Sequence, residues 1–379
     1  MSKSKGYRPD VTVVALDGPP GSGKTTKLVR DSHDWPVPWA IVTYSKDAAK
    51  TLHSRGVPQD LAGTIYSLAW PHVKKSPAGV STVRTKLNTA PAYRSRAMRH
   101  SEDAGIDQYL RDAPSKNPAD PRLEELHAWD PTQGDPPDWV WDKPPKGTSF
   151  AVSLARWLAQ GAPLVNPGYK FIAIDEAQDL SALELAASLA LLRPGGECLA
   201  VGDPGQAIHL GNKGWPDALL PPAWLRADRH EGLKQGYRMG LPATQVASDT
   251  LAPYYDRPAS YFTTSAHATN VHLWDTQPPL EDGGLILGWS RRQCVDYCHK
   301  HGLAFTGLVP NVRDSVVTVC TIAAAKGHEA DSVFLLPWSE KWMSFLSEGD
   351  PSVLKIAYVA LTRARFNLHL PAGLYARLV

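Results

Sequence analysis

The chain has 379 residues, of which 43% are hydrophobic and 21% charged, with a formal net charge of +2 at neutral pH. That length and apolar content support two cores, and near-neutral charge neither requires nor excludes a polyanionic partner. No run of eighteen apolar residues and no apolar leader after Met1 are present, so a membrane span and a signal peptide are not expected. Four cysteines do not make a disulfide framework, and the chain reads as cytoplasmic.

The first element is a buried strand over 11–16, followed by Gly18-Pro19-Pro20-Gly21-Ser22-Gly23-Lys24-Thr25. This is the phosphate-binding spacing G-x-x-x-x-G-K-[ST], here with the strand before it and a helical pattern after it. Glycines let successive backbone N–H groups curl around an anion, and the next helix offers its positive end to the same charge. Gly18, Gly21, Ser22, Gly23, Lys24, Thr25 and Thr26 are therefore the expected nucleotide-binding set. Lys24 reaches the outer phosphates and Thr25 holds Mg²⁺.

Further strands are expected at 39–43, 171–175, 197–202, 285–289, 315–322 and 332–337, alternating with helical patterns as in parallel α/β layers. Ser181-Ala182-Leu183-Glu184 predicts a capping box opening a helix to about Arg193. Ser290 predicts the start of another, running to His301 and stopping at Gly302. Two stretches break the rhythm. Residues 71–149 are rich in proline and charge and read as an insertion. Residues 210–232, with Pro216, Pro221 and Pro222, read as a linker between lobes. The expected units are thus 1–70 and 150–225 as one lobe, 71–149 as a small inserted accessory subdomain, and 226–379 as a second lobe.

Phe171-Ile172-Ala173-Ile174 ends in Asp175-Glu176-Ala177-Gln178-Asp179. A carboxylate at the C-terminal end of such a strand lies beside the phosphate loop. Asp175 is placed to hold Mg²⁺, and Glu176 to orient and deprotonate an attacking water. Gln206, after the strand ending at Gly202-Asp203, is placed to sense a γ-phosphate.

Taken in order, these segments resemble a superfamily 1 helicase of the UvrD/Rep/PcrA type. Gly18–Thr25 resembles motif I, Ile41–Ala49 motif Ia and Gly63–Leu68 motif Ib. Asp175–Asp179 resembles motif II, Gly202–Gln206 motif III and Gln235–Arg238 motif IV. Thr321–Glu329 resembles motif V and Tyr358–Arg365 motif VI. The resemblance implies two RecA-like parallel-sheet lobes and ATP hydrolysis with Mg²⁺. It also implies 3′-to-5′ movement of a monomer on single-stranded DNA and at single/double-strand junctions. Arg238 and Arg363 would be arginine fingers, Tyr237 would stack on adenine, and Glu329 would meet the ribose. On the DNA side, Thr43, Thr64 and Ser67 would donate to phosphates, Tyr44 and Tyr66 would stack on bases, and His209 stands where a tyrosine is usual.

The chain departs from the family in four residues or segments and in size. No glutamine-bearing segment precedes the phosphate loop in this sequence. Tyr66 and Ala323 stand where histidines are usual, and Gly211 where a tryptophan is usual. Only about eighty residues separate Arg238 from Thr321, so the family's large second-lobe insertion is missing from that interval. Two rival functions follow: a DNA-stimulated ATPase that translocates or remodels nucleoprotein without separating strands, and an ATP-switched protein-binding module.

Lys74, Lys75, Arg84, Lys86, Arg94, Arg96 and Arg99 form a basic run with no acidic residue among them. The run leaves the first lobe just after motif Ib, where a strand would pass. Replacing Arg94, Arg96 and Arg99 with Ala is expected to flatten the log–log salt dependence of DNA affinity by up to about two units, measured by salt titration. Trp338 and Trp342 leave two roles open, core packing (the preferred one) or contact with DNA. Cys294, Cys298, His299 and His301 fit no four-ligand zinc spacing and read as one face of a helix.

Overall fold

The apolar run after Asp10 forms strand β1 (Thr12–Asp17), whose side chains alternate between two cores: Val13 and Ala15 into one, Leu16 into the other. The computed structural model describes residues 10–73, 121–129, 135–137, 140, 149–159, 162, 168–210, 219–233, 235–253, 255, 263–264, 266–275, 284–303 and 317–379. Around β1, strands β2 (Trp39–Thr43), β3 (Ala62–Thr64), β4 (Tyr169–Asp175), β5 (Leu192–Gly202) and β6 (Arg229–Gly232) form a parallel sheet of order β3-β2-β4-β5-β1-β6. Both faces are covered, as all-parallel sheets require. Ile172 and Ile174 enter the core shared with helices α3 (Ile65–Val73), α5 (Ser149–Ala159) and α6 (Ala182–Ala190). Phe171 and Ala173 enter the core shared with α1 (Lys24–Asp31) and α2 (Lys46–Ser54).

The second lobe repeats the plan. Strands β7 (Asn270–Trp274), β8 (Leu285–Gly288), β9 (Thr318–Thr321), β10 (Ala330–Leu335) and β11 (Ala364–Pro371) form a parallel sheet of order β7-β11-β10-β8-β9. Leu285, Leu287, Val333 and Leu335 face one core, and Ile286, Val319 and Phe334 the other. Helices α8 (Ala243–Leu251), α9 (Arg291–His301), α10 (Glu340–Ser347), α11 (Pro351–Leu361) and α12 (Ala372–Leu378) complete it. Two parallel-sheet α/β lobes are what the motif order implied.

Local chemistry explains the helix ends. Ser181 and Glu184 make the expected capping box, with Glu184 N donating to Ser181 Oγ and Ser181 N to Glu184 Oε2. The helix stops at Ala190 rather than near Arg193, because Pro194 disfavours a helical Arg193 and the chain is already in β5 from Leu192. Ser290 caps α9 through Gln293 N, and Gly302 ends it at φ 64°, the left-handed conformation glycine adopts without strain. Cys294 and Cys298 lie buried on that helix.

Three corrections to the sequence reading arise. The stretch 210–232 is not simply a linker: 222–226 is a short helix, α7 (Pro222–Arg226), and β6 hydrogen-bonds along β1, so the first sheet extends to Gly232, past the boundary at 225/226. A four-residue edge strand of sequence Arg-His-Glu-Gly, exposed throughout, carries no apolar signal. Strands β3, β7 and β11 also escaped the reading, two of them because they are short or polar edges. Within 71–149, helix α4 (Pro121–Ala128) and Val140 bury Leu126 and Val140 in the first lobe's own core rather than in one of their own. The basic run 74–99 lies outside the described residues, as does Gly211. Among the described residues no helix is long and apolar enough to cross a membrane.

Candidate active site

The C-terminal ends of β1, β4 and β5 converge on the cleft between the lobes. The phosphate loop leaves β1 at Asp17 and is tied to β5 by Gly18 N donating to Gly202 O at 2.9 Å. Gly21 and Gly23 sit at φ 72° and 76°, where a side chain would be strained. A Cβ on Gly18 would come within 2.7 Å of Ser22 Oγ and 2.8 Å of Lys24 Cγ, so the loop closes tightly on itself. Lys24 Nζ donates to Gly18 O at 2.8 Å and Pro19 O at 3.0 Å. Ser22 Oγ is buried with no hydrogen-bond partner among the described residues, an unsatisfied group of the kind a phosphate oxygen would engage.

Thr25 Oγ1 donates to Asp175 Oδ2 at 2.9 Å, which joins the loop to the end of β4. A hydroxyl and a carboxylate at this spacing beside a phosphate cradle fit a hard divalent cation. Burial first, and Glu176 second, push the Asp175 carboxyl up to about 6. Glu176 is also buried, which works to raise it, but Lys326 and Lys24 hold it below its ordinary value. It is therefore ionised at neutral pH, as a proton acceptor must be. Its backbone lies at φ 57°, a left-handed conformation that costs a glutamate about 1–3 kcal/mol and marks a site held by its surroundings.

The second lobe closes the site. Arg363, at 1% exposure, donates to Gln206 Oε1 at 2.8 Å, Val359 O at 2.9 Å and Thr362 Oγ1 at 3.0 Å. Burial first, then the neighbouring Arg238, lower its pKa to about 9, still cationic at neutral pH. Arg238 donates to Glu329 Oε2 at 2.5 Å and Thr362 O at 3.1 Å, and Tyr237 N donates to Gly21 O at 3.0 Å, so this segment lies directly against the loop. Together these residues line a cavity of about 620 Å³ that includes Lys24, Thr25, Glu176, Gln206, Arg238 and Arg363.

The sequence reading missed the polar bridge across the lobes. Lys326 Nζ reaches Asp179 Oδ1 at 2.8 Å, Asp179 Oδ2 at 2.6 Å and Gln206 O at 2.5 Å, with both side chains under 10% exposed. Gln178 links Glu176 Oε2 (2.5 Å) to Asp203 N (3.1 Å), and Asp203 in turn accepts from Gln206 Nε2 at 2.9 Å. The Glu176 carboxylate is thus connected through Gln178, Asp203 and Gln206 to Arg363. Arg55, at the cavity mouth, donates to Thr26 Oγ1 at 3.4 Å and was missed as well. Nothing in the spacing of these residues pairs them; only the Asp179 of the Asp-Glu-Ala-Gln-Asp run was a visible signal. Replacing Lys326 with Ala leaves Asp179 charged and buried. The expected loss is about 3–5 kcal/mol, largely recovered in the Lys326→Ala/Asp179→Asn double variant, with thermal unfolding as the readout.

The other expected residues are placed as follows. Glu329 lines the cavity and pairs with Arg238, and Tyr237 is 66% exposed beside it. On the nucleic-acid side, Thr43 is 1% exposed and its hydroxyl donates to Ser45 O at 3.0 Å, so it is committed inside the lobe rather than offered to a phosphate. Tyr66 packs on the first core and donates to Glu184 Oε1 at 3.2 Å; burial first, then Glu184, raise its pKa. Tyr44 and His209 do come together, stacked at 5.5 Å with ring planes 9° apart. Ser67 is exposed next to Thr64, donating to Thr64 O at 2.8 Å.

No protein-family model and no curated protein matches the chain. Among solved structures it is similar to an arterivirus nonstructural protein 10 helicase in complex with DNA: 16% identity, 97% of this chain and 63% of that one covered, TM-score 0.46. It is also similar to a crystal structure of an arterivirus nonstructural protein 10 helicase (17%, 95% and 59%, TM-score 0.43) and to the PRRSV helicase (15%, 95% and 52%, TM-score 0.43). The chain thus spans between about half and two thirds of the length of these proteins.

Proposed function

We propose that the chain is an ATP-hydrolysing motor of the superfamily 1 helicase type, which moves 3′-to-5′ on single-stranded DNA and separates strands. One observation carries this reading: a complete hydrolytic set split between two lobes. Loop, hydroxyl, carboxylate and base come from the first lobe, and two guanidiniums from the second. ATP binds in the cavity with its phosphates on the loop backbone and Lys24, and Thr25 and Asp175 hold Mg²⁺. The cation, when bound, neutralises charge on the phosphate oxygens. Glu176 orients the water and takes its proton. Arg363 and Arg238 face the charge that develops on the transferred phosphoryl group, which forked guanidiniums suit better than ammoniums. Because both arginines belong to the second lobe, catalysis requires a closed cleft. Product release then lets it open, and the alternation moves the strand.

The interval of only about eighty residues between Arg238 and Thr321 favours a second reading, translocation without strand separation. Steady-state ATP hydrolysis with and without a single-stranded oligonucleotide tests the common core of both. Stimulation of tenfold or more is expected, and indifference to the strand would overturn it. A fluorescent fork-unwinding assay separates the two readings.

A further inference from the structure

Arg238 stands on 235–242, a stretch between β6 and α8 that belongs to neither a helix nor a sheet. Backbone of this kind has no ladder to hold it, so its polar groups need partners from elsewhere in the chain. In front, the first lobe meets it: Tyr237 N donates to Gly21 O at 3.0 Å, and a Cβ on Gly21 would come within 2.4 Å of Arg238 Cβ. Behind it runs a segment that none of the motifs includes, with Thr263, Thr264, His267 and Thr269 against it.

The bonds between the two stretches are specific. Gln235 Nε2 donates to Thr263 O at 3.1 Å, and Thr264 N to Met239 O at 2.6 Å. Gly240 N donates to Thr269 Oγ1 at 2.9 Å, and Thr269 N to Leu241 O at 3.1 Å. The approach is closest at Gly240, where a Cβ would lie 2.0 Å from His267 O, so a residue without a side chain is required. His267 Nε2 is 2.9 Å from Arg238 O and 3.1 Å from Arg365 O. Carbonyls only accept, so Nε2 carries the proton and shares it between the two oxygens. Thr269, fully buried, donates its hydroxyl to the same Arg365 O at 2.5 Å. The Phe366 ring packs on His267 with centroids 4.7 Å apart.

Arg365 lies near the start of β11, two residues beyond Arg363, and β11 is paired on both sides by β10 and β7. One imidazole and one hydroxyl therefore tie the backbone under Arg238 to a central strand of the second sheet. The side chain is referred to the same place, because Arg238 Nη1 donates to Thr362 O at 3.1 Å. All of these partners belong to the second lobe, so the spacing between Arg238 and Arg363 does not depend on closure of the cleft.

Resting on the motor reading above, in which Arg238 faces the transferring phosphoryl group, we propose that His267 and Thr269 are positioning residues for that arginine. They touch neither nucleotide nor cation. They clamp the irregular backbone that carries Arg238 onto the strand that follows Arg363, so that the two guanidiniums reach the cavity at a fixed separation. A displacement of about 1 Å at a group that faces the reacting atoms can cost about a hundredfold in rate, and free backbone at Arg238 would permit that.

The test is ATP turnover by the full chain, with radiolabelled ATP so that slow variants are measured. His267→Leu removes the shared N–H and keeps apolar bulk against Phe366. It is expected to lower kcat by about ten- to a hundredfold with KM for ATP within about twofold. His267→Gln, whose amide can donate to the same carbonyls, is expected to recover most of that loss. In an Arg238→Ala background, His267→Leu is expected to cost less than about twofold more, because a residue that acts through Arg238 has nothing left to position. Thermal unfolding identifies the folded variants. Should His267→Leu not fold, Thr269→Ser against Thr269→Val carries the comparison: the hydroxyl kept in Ser preserves kcat, and its loss in Val lowers it. Unchanged kcat in the folded variants, or an equal loss with and without Arg238, would overturn this inference while a large loss in Arg238→Ala alone leaves the motor reading standing. Full turnover in Arg238→Ala, or no hydrolysis by the unaltered chain, would overturn both.

Discussion

Replacing Glu176 with Gln is expected to lower steady-state ATP turnover by about a thousandfold while nucleotide and oligonucleotide affinities change less than about threefold. Glu176 is a buried, ionised carboxylate that lines the cavity, held low by Lys326 and Lys24 despite its burial. A positioned base contributes about 10²–10⁴ in rate, and an amide of the same shape cannot take the proton. The substitution is conservative toward everything else. The new amide would still meet Gln178 and fits the same left-handed backbone position. Removing the negative charge also lifts one of the causes that push Asp175 upward, so the Thr25–Asp175 pair stays competent. Turnover is measured under saturating ATP, and binding with a fluorescent nucleotide and a labelled strand. Near-normal turnover would transfer the base role to another group.

Replacing Arg363 with Ala is expected to cost about a thousandfold or more in turnover, the usual magnitude for an arginine that faces a transferring phosphoryl group. The reason is geometric. The guanidinium is fixed from three sides, by Val359 O, Thr362 Oγ1 and Gln206 Oε1, and is aimed into the cavity from the opposite lobe. Arg363→Lys keeps the charge but not the fork, and should recover no more than about tenfold. Because Gln206 also accepts from this arginine, Gln206→Ala is expected to lose part of the stimulation by a strand rather than the basal rate. The comparison of basal and strand-stimulated turnover across the three variants separates chemistry from coupling.

The elements that local rules govern were legible in the chain. The spacing Gly18 to Thr25 dictates a loop whose glycines alone tolerate φ near +70°, and the apolar runs ending at Asp17, Asp175 and Gly202 dictate strands that deliver their polar tips to one rim. Ser181 with Glu184 and Ser290 with Gly302 dictate helix ends, since the groups that satisfy orphan backbone donors and acceptors lie within a few residues. Lys24, Thr25, Asp175, Glu176, Gln206, Arg238 and Arg363, named from motifs, do line or reach one cavity.

What tertiary structure alone decided is every contact between distant segments. Lys326 and Asp179 are 147 positions apart, and Arg363 and Gln206 are 157 apart. No periodicity or spacing links such pairs, because their approach depends on how two sheets are set against each other. The same holds for burial of motif residues: Thr43 and Tyr66 were read as offered to a strand, but the packing of the first lobe turns their hydroxyls inward. Edge strand β6, exposed and polar, is a strand only because β1 offers it an unpaired backbone edge, a partner that the four residues cannot announce by themselves.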